Sequence, residues 1–142
     1  MVIVVRPDLI LPDAMKNLAT YLDSGGSIIT LPPPSTNHEW SSMWNSHLDV
    51  PWEWSEQTKV YELPAKLVMK DVRSDNLGSI SMEVEKLLDP VSVERIQMIT
   101  PREGCETIFT TTNDDPFLVT SSVAGSPSGS MTAFTSPMNT DW

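Results

Sequence analysis

The chain has 142 residues, enough for one domain with a sizeable core, and 39% of them are hydrophobic and 20% charged. Nine basic residues against 19 acidic ones give a formal charge of -10 at pH 7. Nucleic acids and anionic lipid surfaces bind basic faces, so this balance argues against both classes of partner. We predict a soluble domain with an acidic surface.

The cysteine count and the apolar runs limit the redox chemistry and the topology. Cys105 is the only cysteine, which excludes an internal disulfide and a cysteine-based zinc cluster. No apolar run approaches the ~20 residues that a membrane-spanning helix needs, so we predict no direct membrane insertion by this chain. These features leave the compartment open.

The first third of the chain predicts a β-α-β unit. The β-branched run Val2 to Val5 is typical of a strand that is buried on both faces of a parallel sheet. Pro12 suits the first turn of a helix, and Gly25-Gly26 provides its left-handed end. The apolar side chains of this helix repeat at helical spacing: Met15, Leu18, Ala19 and Leu22. Ser27 to Leu31 then forms a second strand, parallel to the first through a right-handed crossover.

The middle of the chain is less regular. Pro32-Pro33-Pro34 opens a loop, and Glu39 to Leu48 has the spacing of one helix. Val60 to Leu63 predicts a short strand. Leu67 to Val72 is compatible with another strand, and Ser81 to Leu88 has a weak helical pattern.

The last third predicts β structure. Val91 to Ile99 alternates apolar and polar residues, as a half-buried strand does. Glu106 to Thr111 and Phe117 to Ser121 flank a turn-rich segment and predict a hairpin, and Met131 to Thr135 predicts a final strand. We therefore predict a single α/β domain over residues 1–142, with a parallel α/β half at 1–63 and a mainly antiparallel β half at 64–142.

Two stretches carry a family resemblance. Leu22-Asp23-Ser24-Gly25-Gly26-Ser27-Ile28-Ile29, after a strand and a helix, resembles the tyrosine-valine-x-x-glycine-glycine segment of class I glutamine amidotransferase-like domains. Residues 111–119 followed by 134–142 resemble the closing hairpin of one such domain. That domain occurs in bacterial membrane-anchored proteins with von Willebrand factor A domains, of the aerotolerance-regulator type. The resemblance implies a flavodoxin-like, three-layer sandwich.

The departures from that family bear on function. Family members carry a glycine-lysine-glycine-arginine turn before the last strand, whereas the segment from Gly125 to Gly129 has no basic residue. An earlier β-α-β portion is expected before Val2, so the domain can be a truncated one. The nucleophilic cysteine of true amidotransferases follows the second strand, where this chain has Pro32-Pro33-Pro34-Ser35. A nucleophile elbow needs small neighbours and an immediate helix, and this turn provides neither these nor a thiol.

The resemblance and the missing thiol together imply a non-catalytic interaction or structural module of a larger protein, membrane-anchored in the family that it resembles. We predict no cofactor, and a protein partner or self-association.

Cys105 lies beside Glu103 and Glu106, whose charges raise a thiol pKa, so we predict a structural cysteine. Asp114-Asp115 predicts a turn and not a pair of catalytic carboxylates.

The alternative hypothesis is a small hydrolase or a carbohydrate-processing enzyme. Ser35, His38 and Glu39 follow the second strand, and ligands bind at the carboxyl ends of strands in open α/β sheets. His38 and His47 are nine positions apart, which does not place them on one helical face, and the order is not His-Glu-x-x-His. We therefore predict no metal site.

Four tryptophans within 15 residues are the remaining candidates for binding: Trp40, Trp44, Trp52 and Trp54. Such a cluster can form core, a protein interface or a carbohydrate platform, and the spacing leaves all three open. If the strand from Val2 to Val5 lacks its first neighbour, it leaves a bare apolar sheet edge. We predict that this edge and the segment from Trp40 to Trp54 form the working surface.

Overall fold

A computed structural model describes residues 1–34, 39–70, 86–121 and 129–137. The elements in chain order are β1 (Val2–Val4), a 3-10 turn (Pro7–Leu9), α1 (Pro12–Asp23), β2 (Ser27–Thr30), α2 (Glu39–His47), β3 (Trp52–Met69), β4 (Ser92–Pro101), β5 (Cys105–Thr111), β6 (Pro116–Ser121) and β7 (Ser130–Phe134). In this described part the seven strands form one mixed sheet in the order β1-β2-β7-β6-β5-β3-β4. The fold is mixed α/β, with parallel pairing concentrated among the N-terminal strands.

The predicted β-α-β unit is confirmed. β1 and β2 pair in parallel, with Val2 opposite Ile28, and α1 begins at Pro12 as expected. The backbone of Gly25 has φ 90°, the left-handed conformation that ends the helix. One expectation is wrong: β1 is not buried on both faces, because Ile3 is 57% exposed. Among the described strands, β1 pairs with β2 alone.

Both described helices pack against the same face of the sheet. Residues paired in register share a face, so Val4, Thr30 and Ala133 lie on one side. That side contributes to one core cluster with both helices, whose buried members include Met15 and Leu22 of α1, Trp40 and Trp44 of α2, and Val4, Ile28, Val119, Met131 and Ala133 of the sheet. Neither α1 nor α2 covers the opposite face, so the expected three-layer sandwich is not confirmed by the described ranges.

The C-terminal half is mainly antiparallel, as predicted. β5 and β6 form the expected hairpin, and β7 pairs antiparallel with β6. On its other side β7 pairs in parallel with β2, with Ile28 opposite Met131. β7 therefore joins the two halves into one sheet.

The long strand β3 and its partner β4 form a ribbon that the sequence reveals only in part. The expected strand from Val60 to Leu63 is the middle of an 18-residue strand. Register shifts between Trp54 and Thr58, and between Val60 and Ala65, interrupt its pairing with β4. These shifts break the alternation of apolar and polar residues on which strand prediction depends. The strand considered for Leu67 to Val72 is the end of β3 as far as Met69. Residues 71–72 and most of the expected helix from Ser81 to Leu88 fall outside the described residues.

None of the helices in the described ranges is both long enough and apolar enough to cross a bilayer.

Candidate functional site

The carboxyl ends of the parallel strands form the edge of the sheet where the family resemblance would place a catalytic elbow. The chain leaves β2 with a hydrogen bond from the Leu31 N–H to the Val4 carbonyl oxygen at 2.9 Å. Pro32 and Pro33, which follow, are buried. The Pro34 carbonyl oxygen accepts a hydrogen bond from the Arg95 guanidinium of β4 at 2.7 Å. The proline loop is therefore tied to the β3–β4 ribbon.

The ribbon also closes the space next to this loop. The Gln97 N–H donates to the Thr135 carbonyl oxygen, beyond the end of β7, at 2.7 Å. The Gln97 side-chain amide donates to the Ser55 carbonyl oxygen and accepts from the Thr58 hydroxyl at 3.2 Å. The cavity left between Pro32, Pro33 and these ribbon residues has a volume of about 10 Å³, which is room for a single water. This cavity is too small for a substrate.

The side chains of the alternative hypothesis fall mostly outside the part of the chain that the structure describes. Ser35 and His38 lie outside the described residues. Glu39 is the first residue of α2 and is exposed. His47, near the other end of that helix, has its Nδ1 at 2.8 Å from the Met43 carbonyl oxygen, which fixes its ring within its own last turn.

The four tryptophans lie in the core. Their exposed fractions are 3% for Trp40, 0% for Trp44 and 2% for each of Trp52 and Trp54. The ring of Trp40 packs edge-on against Trp44 and Trp54, with centroids 6.3 and 5.1 Å apart. An interface or a carbohydrate platform would need rings at the surface, so core packing is the alternative that the geometry favours. The four tryptophans are therefore excluded from the predicted working surface, and only the strand edge remains of it.

A partly buried polar cluster links the hairpin to the ribbon. Asp115, in the turn before β6, accepts hydrogen bonds from the Tyr61 hydroxyl at 2.8 Å and from the Lys59 ammonium at 2.6 Å. Beside it, Asp114 has φ 63° and pairs with Lys70 at 2.7 Å. The turn expected at Asp114-Asp115 is thus confirmed, and its carboxylates pair with Lys59 of β3 and with Lys70 directly after that strand. Burial first, and then the negative charge of Asp115, raise the pKa of Tyr61 to about 12.

The raised pKa of Tyr61 predicts that the folded state loses stability at alkaline pH. The neutral phenol of Tyr61 is favoured in the folded state, so its contribution is fully present below pH 10 and is lost as the pH rises towards 12. Tyrosinate absorbance in a Tyr21→Phe background, which leaves Tyr61 as the only tyrosine, should rise near pH 12 or together with unfolding. Asp115→Asn, which removes the charge, should move the titration to lower pH. Ionisation of Tyr61 near pH 10 in the folded protein would contradict the prediction.

A polar cleft of about 370 Å³ lies where α2 ends and β3 begins. His47, Asp49, Glu53 and Arg102 contribute its ionisable side chains. Arg102 forms an ion pair with Glu53, which leaves His47 and Asp49 as the groups available to a solute. In the described ranges no three His, Cys, Asp or Glu side chains come close enough to hold a metal ion. Sequence reasoning missed Arg102, because only the β3–β4 register brings it beside Glu53.

Cys105 is a half-buried side chain at the start of β5, packed against the main core cluster. Burial, reinforced by the negative charge of Glu106, raises the pKa of its thiol to about 11. The thiolate form that nucleophilic chemistry requires is therefore scarce near neutral pH.

Comparison with known proteins gives matches among solved structures only. Neither a protein-family model nor a curated protein matches the sequence. The chain is similar to the cytoplasmic protein STM1381 from Salmonella typhimurium LT2, with a TM-score of 0.64 at 17% identity over 94% of this chain and 53% of that one. It is similar to the cytoplasmic protein STM3548 from Salmonella typhimurium, with a TM-score of 0.63 at 14% identity over 95% of this chain and 54% of that one.

A third similar structure belongs to a much longer enzyme. The chain resembles part of the exo-beta-1,4-mannosidase Op5Man5 from Opitutaceae bacterium strain TAV5, with a TM-score of 0.50 at 17% identity over 88% of this chain and 18% of that one. At these identities the likeness is one of fold. The chain spans about half the length of the two Salmonella proteins that it matches.

Proposed function

We propose that this chain is a non-catalytic, amidotransferase-like module that serves protein interaction or structural support within a larger assembly. The observation that carries the proposal is the loop after β2. Where the resembled family has a nucleophilic cysteine, this loop has three prolines, two of them buried. The cavity beside them has room for a single water.

The hydrogen bonds around this loop support the proposal that the β3–β4 ribbon keeps the cavity beside the loop closed. Arg95 holds the Pro34 carbonyl oxygen, and Gln97 joins the ribbon to the segment after β7. Gln97 is 5% exposed, and both ends of its side-chain amide are hydrogen-bonded. Lifting the ribbon away from the segment after β7 would leave the buried Gln97 N–H without its partner, at a cost of roughly 1–3 kcal/mol.

The arrangement of the sheet supports the resemblance itself. A parallel β1-α1-β2 unit with the Gly25-Gly26 turn is followed by an antiparallel hairpin, and the last strand returns beside β2. Similar folds occur in chains longer than this one, including a mannosidase in which the matching region makes up 18% of the chain. A fold that accompanies other regions in longer chains is compatible with a module.

The proposal predicts that the protein has no glutaminase, glycosidase or esterase activity, and assays of these activities test it. Ammonia release from glutamine should stay at the buffer background for the parent protein and for Cys105→Ser alike. Nitrophenyl glycosides and esters should be equally inert, which tests the alternative of a hydrolase or a carbohydrate-processing enzyme. Turnover that scales with protein concentration and survives further purification would overturn the module reading.

The thiol itself gives a second, independent prediction. Because its pKa is raised to about 11, Cys105 should react with iodoacetamide much more slowly at pH 8 than the same thiol in the protein unfolded by urea. The rate in the folded protein should keep rising with pH up to about 11. Mass spectrometry of timed samples measures both rates, and fast labelling of the folded protein at pH 7 would show an activated thiol instead.

A further inference from the structure

The polar cleft between the end of α2 and the start of β3 is large enough for a small molecule. Its volume of about 370 Å³ falls within the range of small-molecule sites. Hydrogen bonds between its walls fix its shape. The Asn45 side-chain amide donates to the Trp54 carbonyl oxygen at 2.9 Å and accepts from the Trp54 N–H at 3.0 Å. On the opposite side the Arg102 N–H donates to the Pro51 carbonyl oxygen at 2.7 Å.

The carbonyl end of α2 borders this cleft. The last carbonyl groups of a helix have no donor within the helix itself. The Leu48 N–H bonds to the Trp44 carbonyl oxygen at 3.1 Å, but in the described part of the chain no backbone N–H bonds to the carbonyl oxygens of Asn45, Ser46 and His47. The helix end therefore presents hydrogen-bond acceptors and a partial negative charge.

The His47 ring contributes a further acceptor. Its Nδ1 atom lies 2.8 Å from the Met43 carbonyl oxygen, which can only accept, so Nδ1 carries the proton of the neutral ring. The Ser46 hydroxyl, at 3.0 Å, also contacts the ring at Nδ1. The lone pair is then on Nε2. That atom remains open to a donor from solution.

The ionisable side chains give the cleft a net negative charge. Two carboxylates, of Asp49 and Glu53, and one guanidinium, of Arg102, leave one negative charge when His47 is neutral. Glu53 pairs with Arg102, whereas the ion pairs of the described residues do not include Asp49. The Asp49 carboxylate is therefore the uncompensated charge.

We propose that this cleft binds a small organic amine through its primary ammonium group, with Asp49 as the ionic partner. The Nε2 atom of His47 and the carbonyl end of α2 accept its hydrogen bonds. An ammonium group has three donors and no acceptor, which complements a set of open acceptors. This inference goes beyond the proposed function and does not depend on it.

The same features argue against other small ligands. A sugar hydroxyl both donates and accepts, so its acceptor sites would find few donors in this cleft. An anion would be repelled by the net charge. A metal ion would lack ligands, since in the described ranges no three His, Cys, Asp or Glu side chains come close enough to hold one.

Proton NMR of the His47 ring tests the site. In a His38→Gln background His47 is the only histidine. 1,4-Diaminobutane at pH 8 and low salt should shift the ring signals saturably. Asp49→Asn should raise the dissociation constant at least roughly tenfold, because a charge-assisted contact is lost. The matched control is Asp13→Asn, which makes the same change of net charge at a carboxylate that is 95% exposed on α1, and it should leave the constant unchanged.

Three further solutes test the chemistry of the ligand. Tetramethylammonium has the positive charge but no N–H donor, glucose has hydroxyls but no charge, and succinate is an anion. None should shift the His47 signals saturably at concentrations where 1,4-diaminobutane saturates. Saturable binding of any of the three, or equal weakening of diamine binding by Asp49→Asn and Asp13→Asn, overturns the proposal.

Arg102→Gln tests the same site with an effect of opposite sign. Loss of the guanidinium frees Glu53 and leaves two negative charges where there was one, so 1,4-diaminobutane should bind roughly two- to fivefold more tightly. Damage to the fold would not produce tighter binding. Unchanged or weaker binding to Arg102→Gln, or the absence of a saturable shift in the parent background, contradicts an ammonium site in this cleft.

Discussion

Replacing Gly129 by alanine is expected to prevent folding or to lower the free energy of unfolding by more than roughly 3 kcal/mol. A Cβ atom at this position would overlap the Gly26 carbonyl oxygen and would lie 2.7 Å from the Leu22 carbonyl oxygen. Both obstacles are backbone atoms and cannot rotate away. Both are also hydrogen-bonded to this segment, Leu22 to the Gly129 N–H at 2.7 Å and Gly26 to the Ser130 N–H at 3.1 Å.

Gly104→Ala provides the control for this substitution. Gly104 has φ +87°, so alanine is strained there, but its Cβ would meet only the Pro51 side chain at 3.6 Å. Its expected loss is the left-handed backbone penalty of roughly 1–2 kcal/mol. Urea unfolding followed by circular dichroism compares the two variants, and equal midpoints would mean that the approach of β7 to the α1–β2 turn is looser than the structure describes.

The glycine pair illustrates how much of the fold the sequence predicts. Gly25 marks the helix end, and its φ of 90° follows from a local rule for helix termini. Gly26 and Gly129 are glycines for a different reason, which is space: the Tyr21 ring lies where a Cβ of Gly26 would be, and β7 passes over the turn too closely for a Cβ at Gly129. That passage joins segments more than 100 positions apart, so no local sequence pattern predicts it. Periodicity gives α1 and β2, whereas the contact between the two halves comes only from the structure.

The candidate site divides in the same way. The proline loop and its missing thiol are visible in the sequence, and they already argue against an elbow. The closure by Arg95 and Gln97 is not visible, because it depends on how the β3–β4 ribbon folds back onto the loop. The cluster of Tyr61, Lys59 and Asp115 likewise depends on the position of β3 relative to the hairpin turn. Polar residues in long, irregular strands carry little periodic signal, so their partners could not be predicted.

The tryptophan cluster gives the second large expected effect. Trp44 has no exposed surface and contacts the ring of Trp40, so Trp44→Ala should remove roughly 3–5 kcal/mol of stability. The loss combines the transfer of a large apolar side chain with the cavity that remains between α2 and the sheet. Ser42→Ala is the matched control on the same helix, because Ser42 is exposed and its substitution should change stability by less than about 0.5 kcal/mol.

Trp44→Phe separates the ring from its polar group. The indole N–H of Trp44 is buried and has no hydrogen-bond partner among the described residues, as is also true of Trp40, Trp52 and Trp54. An unpaired buried donor costs roughly 1–3 kcal/mol, so removing it should offset part of the cavity left by the smaller ring. We expect Trp44→Phe to lose less than half the stability that Trp44→Ala loses, measured by chemical unfolding and circular dichroism. A phenylalanine variant as unstable as the alanine variant would mean that the indole N–H has a stabilising partner, and the core around α2 would then have to be more polar than its residues indicate.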